Sequence, residues 1–140
     1  MDGIYECVQD VEAGRTRIIT SVLTRIEVFE TDLEQSIRDK YSRLLSRRCC
    51  QVVDNDLRVS NLAREIREYY VRQSQLDGLP GLTTPDAVHL ATAIHYRADA
   101  FWTFDEGKQG GRSLLALNGN VAGYTLFISK PVAYQFRLRL

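Results

Sequence analysis

A chain of 140 residues can bury one core and has no spare length for a second, so a single domain over residues 1–140 is expected. Its 18 basic residues are balanced by 18 acidic ones, which excludes holding nucleic acid through the field of the whole molecule and leaves only a local patch for that purpose. No run approaches the roughly 18 apolar residues of a membrane helix, and residues 1–6 have neither the basic nor the apolar region of a secretion signal, so a cytoplasmic protein with no membrane partner is expected.

Ile4, Val8 and Val11 are spaced for a short amphipathic helix that Gly14 stops. Thr16 to Thr20 is short and β-branched, which suits a strand, and Ser21 offers an N-cap for a helix beginning at Val22. Val22, Ile26, Phe29, Leu33, Ile37, Tyr41 and Leu44 then keep a three-or-four spacing, which predicts one long helix of about six turns. Cys49 to Val53 reads as a second strand. The three cysteines, Cys49 and Cys50 among them, lack the paired spacings of a zinc site or a disulfide framework and are expected to be inert thiols.

Asp54, Asn55 or Asp56 can cap a helix whose stripe is Val59, Leu62, Ile66, Tyr69 or Tyr70, and Gln73, ending before the loop Asp77-Gly78-Leu79-Pro80-Gly81. Thr84-Pro85-Asp86 supplies a capping hydroxyl, a proline at the first helical position and an acid in the first turn. That helix runs to about Arg97, with a small face of Ala87, Ala91 and Ile94. Ala100 to Phe104 reads as a buried strand ending at Asp105, with Trp102 and Phe104 in the core. Ser113 to Leu117 suits a short helix, Tyr124 to Ile128 a strand, and the alternating tail from Val132 to Leu140 a half-exposed strand. Strands alternating with helices imply an α/β fold with a mostly parallel sheet covered on both faces.

In open parallel sheets the site lies at the carboxyl ends of the strands. Glu27 sits in the second turn of the helix after the first strand, Asp105 directly follows the strand at 100–104, and Asp86 opens a helix whose dipole favours an anion. Three carboxylates converging from separate elements would suit Mg²⁺ or Mn²⁺, hard ions that take oxygen ligands, relieve the mutual repulsion of the acids and activate water against a phosphodiester. The plain alternative is that such acids are caps and solvated loop charges.

Three motifs bear on that choice. Thr20-Ser21-Val22-Leu23-Thr24-Arg25-Ile26-Glu27 resembles the second acidic motif of PIN domains. Pro85-Asp86-Ala87-Val88-His89-Leu90-Ala91-Thr92-Ala93 resembles the third, and Ala98-Asp99-Ala100-Phe101-Trp102-Thr103-Phe104-Asp105 the fourth. The resemblance spans roughly residues 3 to 128 and is nearest to the toxin ribonucleases of toxin–antitoxin pairs. It implies a three-layer α/β/α fold, RNA as substrate, an antitoxin protein as partner, and Glu27, Asp86 and Asp105 in the catalytic and metal-site roles. It also puts Thr103 where the family often has a hydroxyl near the acids.

PIN domains begin with a strand ending in Asp, ahead of the helix matched here by residues 3–13, and these 140 residues have no room for it, so an N-terminally truncated fold is expected. A shortened coding region would explain this, as would a degenerate fold patched by the tail at 132–140 or by a partner chain. Asp2 as a substitute ligand lies at the wrong end of the first helix. The gap would leave apolar surface and sheet edges, for which a homodimer is the expected remedy. The chain is thus expected to be a metal-dependent endoribonuclease of reduced activity, or alternatively a catalytically degenerate PIN module that binds RNA or protein.

His89, three residues after Asp86, shares nearly the same helical face and could meet substrate, although a packed histidine is the plainer reading. His95 is read as structural, and Arg43, Arg47 and Arg48 as a solvated face that could contact phosphates. Asp54, Asp56 and Asp77 are read as caps and turns, and Gly110-Gly111 lacks the spacing of a phosphate loop.

Overall fold

The computed structural model describes residues 2–30, 34–107 and 112–131. The chain divides into two compact units, the first containing residues 1–55 and the second Asp56–Pro131.

In the first unit α1 (Asp2–Glu12) buries Cys7 and Val11, one helical turn apart. Gly14 ends this stretch in the left-handed conformation (φ 74) that glycine adopts without steric cost. The buried carboxylate of Asp10 accepts from Arg15 at 2.9 Å, and its carbonyl accepts the backbone N–H of Arg15, also at 2.9 Å. Side chain and backbone of one residue thereby fix the turn into β1 (Ile18–Ser21). β1 pairs in parallel with β2 (Cys50–Val53), Ile18 opposite Cys50 and Ser21 opposite Val53. The Ser21 hydroxyl accepts the N–H of Leu23 (3.2 Å), turning the chain from strand into α2 (Val22–Glu30) as its place in the sequence suggested.

The long helix expected from Val22 to Leu44 is two helices, α2 and α3 (Gln35–Leu45). Glu34 has an extended ψ of 145° and stands as the N-cap of α3. Apolar spacing records only which side chains share a face, and two successive helices can keep it across a break in the backbone.

The second unit opens with α4 (Leu57–Asp77), capped by Asp56, whose Oδ1 accepts the N–H of Val59 at 2.9 Å. Val59, Ala63, Ile66 and Tyr70 form its buried stripe. Gly78 ends it at φ 70 and returns its N–H to the Ser74 carbonyl. α5 (Thr84–His95) packs on α4 with a face of small side chains, Ala87 and Ala91 among them. The capping hydroxyl belongs to Thr83 and not to Thr84: Thr83 Oγ1 accepts the Asp86 N–H at 3.2 Å, which puts Pro85 one place further into the first turn. Arg97 closes the helix in the left-handed region (φ 54), the Ala98 N–H returning to the Ala93 carbonyl.

β3 (Phe101–Trp102) pairs in parallel with β4 (Ile128–Ser129). Both strands are shorter than expected. Phe104, read as core, is 53 % exposed because the Thr103 hydroxyl accepts the Asp105 N–H (3.0 Å) and turns the backbone before residue 104 can continue the strand. A 3₁₀ turn at Leu115–Leu117 stands where a short helix was expected, and the expected strand at 124–128 moves on to β4, leaving Tyr124 in an isolated antiparallel bridge with Val121. The alternating tail at 132–140 and Gly110-Gly111 lie outside the described residues. Among those described, no helix is long and apolar enough to cross a membrane.

One buried cation ties this unit together. Arg112, 7 % exposed, grips both carboxylate oxygens of Asp77 (2.9 and 3.1 Å), donates Nε to the Pro80 carbonyl (2.9 Å) and lies over the Tyr70 ring, 5.0 Å from its centroid. The Tyr70 hydroxyl in turn accepts the N–H of Ala122.

The guanidinium hydrogen bonds, seconded by the Leu79 N–H, hold the Asp77 carboxyl below its ordinary pKa of 3.8. Such a depressed acid contributes stability above its unfolded pKa, and the contribution is lost as pH falls through the lower folded value. We expect the urea midpoint of the native chain to drop between about pH 5 and pH 2, and Asp77→Asn to be less stable at pH 7 with a flatter acid decline. Parallel acid profiles for the two proteins would refute the assignment. Removing the cap of α4 by Asp56→Ala is expected to cost about 1 kcal/mol in urea unfolding.

Candidate active site

Asp105 stands three residues beyond the end of β3 and is held from several sides. Its Oδ1 accepts the Gly107 N–H at 2.8 Å, its own N–H donates to Thr103 Oγ1, and its carbonyl accepts from the Ser113 hydroxyl and the Leu115 N–H, both at 3.4 Å. Gly107 has φ 90, and a Cβ there would meet Ser113 at 3.2 Å, so the turn is fitted to glycine on two counts. The carboxylate is thereby aimed by backbone hydrogen bonds. Thr103, expected beside the acid cluster, touches Asp105 through this turn, and its hydroxyl keeps its proton to donate elsewhere.

Asp86 lies in the first turn of α5, half-buried, where the positive end of the helix dipole favours its charge. His89 follows one turn later, also half-buried. Asp86 and His89 on α5 and Thr103 and Asp105 in the turn after β3 thus all belong to the second unit. Glu27 belongs to the first unit, exposed in α2 beyond the carboxyl end of β1. Among the described residues no three His, Cys, Asp or Glu side chains group closely enough to hold a metal ion.

His95 packs edge-on against Tyr96 with ring centroids 5.0 Å apart. Trp102 is half-buried, and its indole N–H is buried without a hydrogen-bond partner. Cys7 and Cys50 are buried and Cys49 half-buried, all as free thiols; burial, then the neighbouring Cys49, pushes the Cys50 pKa up and keeps that thiol protonated at neutral pH. Sequence reasoning overlooked Gly107 and Ser113. The spacing Asp105-Glu106-Gly107 carries the signal for the first, an acid two residues before a glycine, but nothing local ties Ser113 to Asp105.

Residues 5–109 match the family model described as PIN domain. No curated protein and no solved structure matched the chain. PIN domains have a three-layer α/β/α fold and nuclease-type activity, and they generally use divalent metals; the parallel strand pairs and helices of both units accord with that fold. The matched stretch runs from α1 through β3 and includes Glu27, Asp86, His89, Thr103 and Asp105, and this chain belongs to the PIN domain family.

Proposed function

We propose that this chain is a metal-dependent endoribonuclease of the toxin kind, acting on RNA and poorly active by itself. The observation that carries the reading is the placement of Asp86 in the first turn of α5 and of Asp105 in the turn three residues beyond β3, in a chain of a nuclease family. Carboxylate oxygens at those positions are the ligand type that Mg²⁺ or Mn²⁺ prefers. Glu27 is the third acid of the proposed set. An antitoxin protein is the proposed partner, and a second copy of the chain another, since among the described residues each strand pair is only two strands wide and a sheet edge is a ready place for another chain to add.

Within the second unit the reading counts on two carboxylates, those of Asp86 and Asp105, and among its described residues no third His, Cys, Asp or Glu joins them to complete an ion site. Two oxygen donors leave a hydrated cation weakly bound and poorly placed, and small displacements of a reacting group cost about a hundredfold in rate. That is the reason for proposing low activity, and it also favours a second reading, a PIN fold that binds RNA or protein without cleaving.

Single-stranded and hairpin RNA incubated with the chain and Mg²⁺ or Mn²⁺ should be cleaved only slowly above the background seen with Asp86→Asn. Rapid cleavage abolished by that substitution would overturn the claim of low activity. Calorimetric titration with Mn²⁺ separates the two readings. Weak binding that disappears in Asp86→Asn and Asp105→Asn supports the endoribonuclease, and no binding by any of the three proteins supports the module.

A further inference from the structure

In the first unit the two parallel strands begin side by side. The Ile18 N–H donates to the Cys49 carbonyl at 2.8 Å, so Arg17 and Arg48, the residues immediately before these two, flank one hydrogen bond. Arg15 and Arg47 lie in the same two turns. Two acids of α1 answer this group: Asp10 pairs with Arg15 at 2.7 Å and Glu12 with Arg47 at 3.3 Å. Arg17 and Arg48 are exposed and make no ion pair among the described residues. The amino ends of β1 and β2 therefore carry a surplus of positive charge in a chain whose net charge is zero.

We infer that this end of the strand pair binds the phosphate backbone of RNA, with Arg17 and Arg48 as the contacting residues and Arg15 and Arg47 held beside them by α1. The inference rests on the ribonuclease reading and adds a contact surface to it. A neutral chain cannot gather a polyanion by overall charge, so its affinity must come from a local surplus such as this one. The patch lies at the opposite end of the strand pair from Ser21 and the helix bearing Glu27, which suits backbone positioning and does not suit chemistry. Two arginines fixed by carboxylates also lower the freedom of the turns that present the other two.

Binding of the full chain to a fluorescent, cleavage-resistant 2′-O-methyl single-stranded RNA, followed by anisotropy across a salt series without divalent ions, tests this. Each phosphate contact on a single strand contributes about 0.7 to the slope of log affinity against log salt, so Arg17→Gln with Arg48→Gln should lower the slope by about 1.4. Arg17→Lys with Arg48→Lys should keep the native slope, because the slope counts charges, and Arg72→Gln on α4 should leave it unchanged. Native binding with an unaltered slope in the double glutamine variant overturns the patch and leaves the ribonuclease reading standing. An equal loss of slope in Arg72→Gln overturns the patch as well. No measurable RNA binding by the native chain overturns both.

Discussion

Asp86 and Asp105 both depend on the buried Arg112. A guanidinium removed from water must place its donors on acceptors or leave a costly unpaired charge, and here Asp77 takes two and the Pro80 carbonyl one while the Tyr70 ring covers the plane. This joins the end of α4 to the chain 35 residues later. The Arg112 N–H adds a bond to the Gly81 carbonyl. On one side the loop so held leads through buried Leu82 to Thr83, which caps α5 and places Asp86. On the other, Ser113 and Leu115 come directly after Arg112 and bond the carbonyl of Asp105. A single ion pair, with Asp77 shortly before Asp86 in sequence and Arg112 shortly after Asp105, thus sets the frame in which both are presented.

What the sequence made legible was the local part. Asp56 and Gly78 bound α4 because a short side-chain acceptor and a left-handed residue each solve a backbone problem that any helix end has. The run of β-branched residues at 16–20 marks β1 to within two residues, and Pro85 with Asp86 marks α5, although two adjacent threonines left the cap one place off. Glu34 is different, since nothing about an acid between two apolar turns announces an extended backbone. Phe104 misled for a related reason. Its apolar neighbours suggested a buried strand, but the hydroxyl of Thr103 competes for the backbone and wins.

The candidate site divides along the same line. Asp86 and Asp105 were legible as acids at element ends, and their motifs carried the family. The Arg112–Asp77 pair was not, because Asp77 in a glycine-containing loop looks like any turn acid, and its partner stands behind two glycines with no local pattern to name it. Long-range ion pairs are chosen by the fold as a whole, and one sequence without a second to compare shows only their halves.

The way Asp105 is held has a consequence for any ligand. A carboxylate free to rotate loses that freedom when it binds something, and the loss subtracts from affinity. Asp105 has already been fixed: one oxygen is tied to the Gly107 N–H, the preceding turn is closed by Thr103, and glycine at φ 90 admits Ser113 against the turn. The geometry is therefore set by the chain and does not wait for a cation. Asp86 gains similar order from the helix that begins around it, with its N–H capped by Thr83. Positions prepared in this way suit binding of a hard ion or a polar substrate group, and they also suit a turn that simply needs an acid. The two differ in what lies opposite the carboxylates, because one rigid donor orients nothing by itself whereas several converging donors define a site. Rigidity at Asp86 and Asp105 is thus a condition that this chain meets residue by residue, and convergence is the condition that the proposed activity turns on.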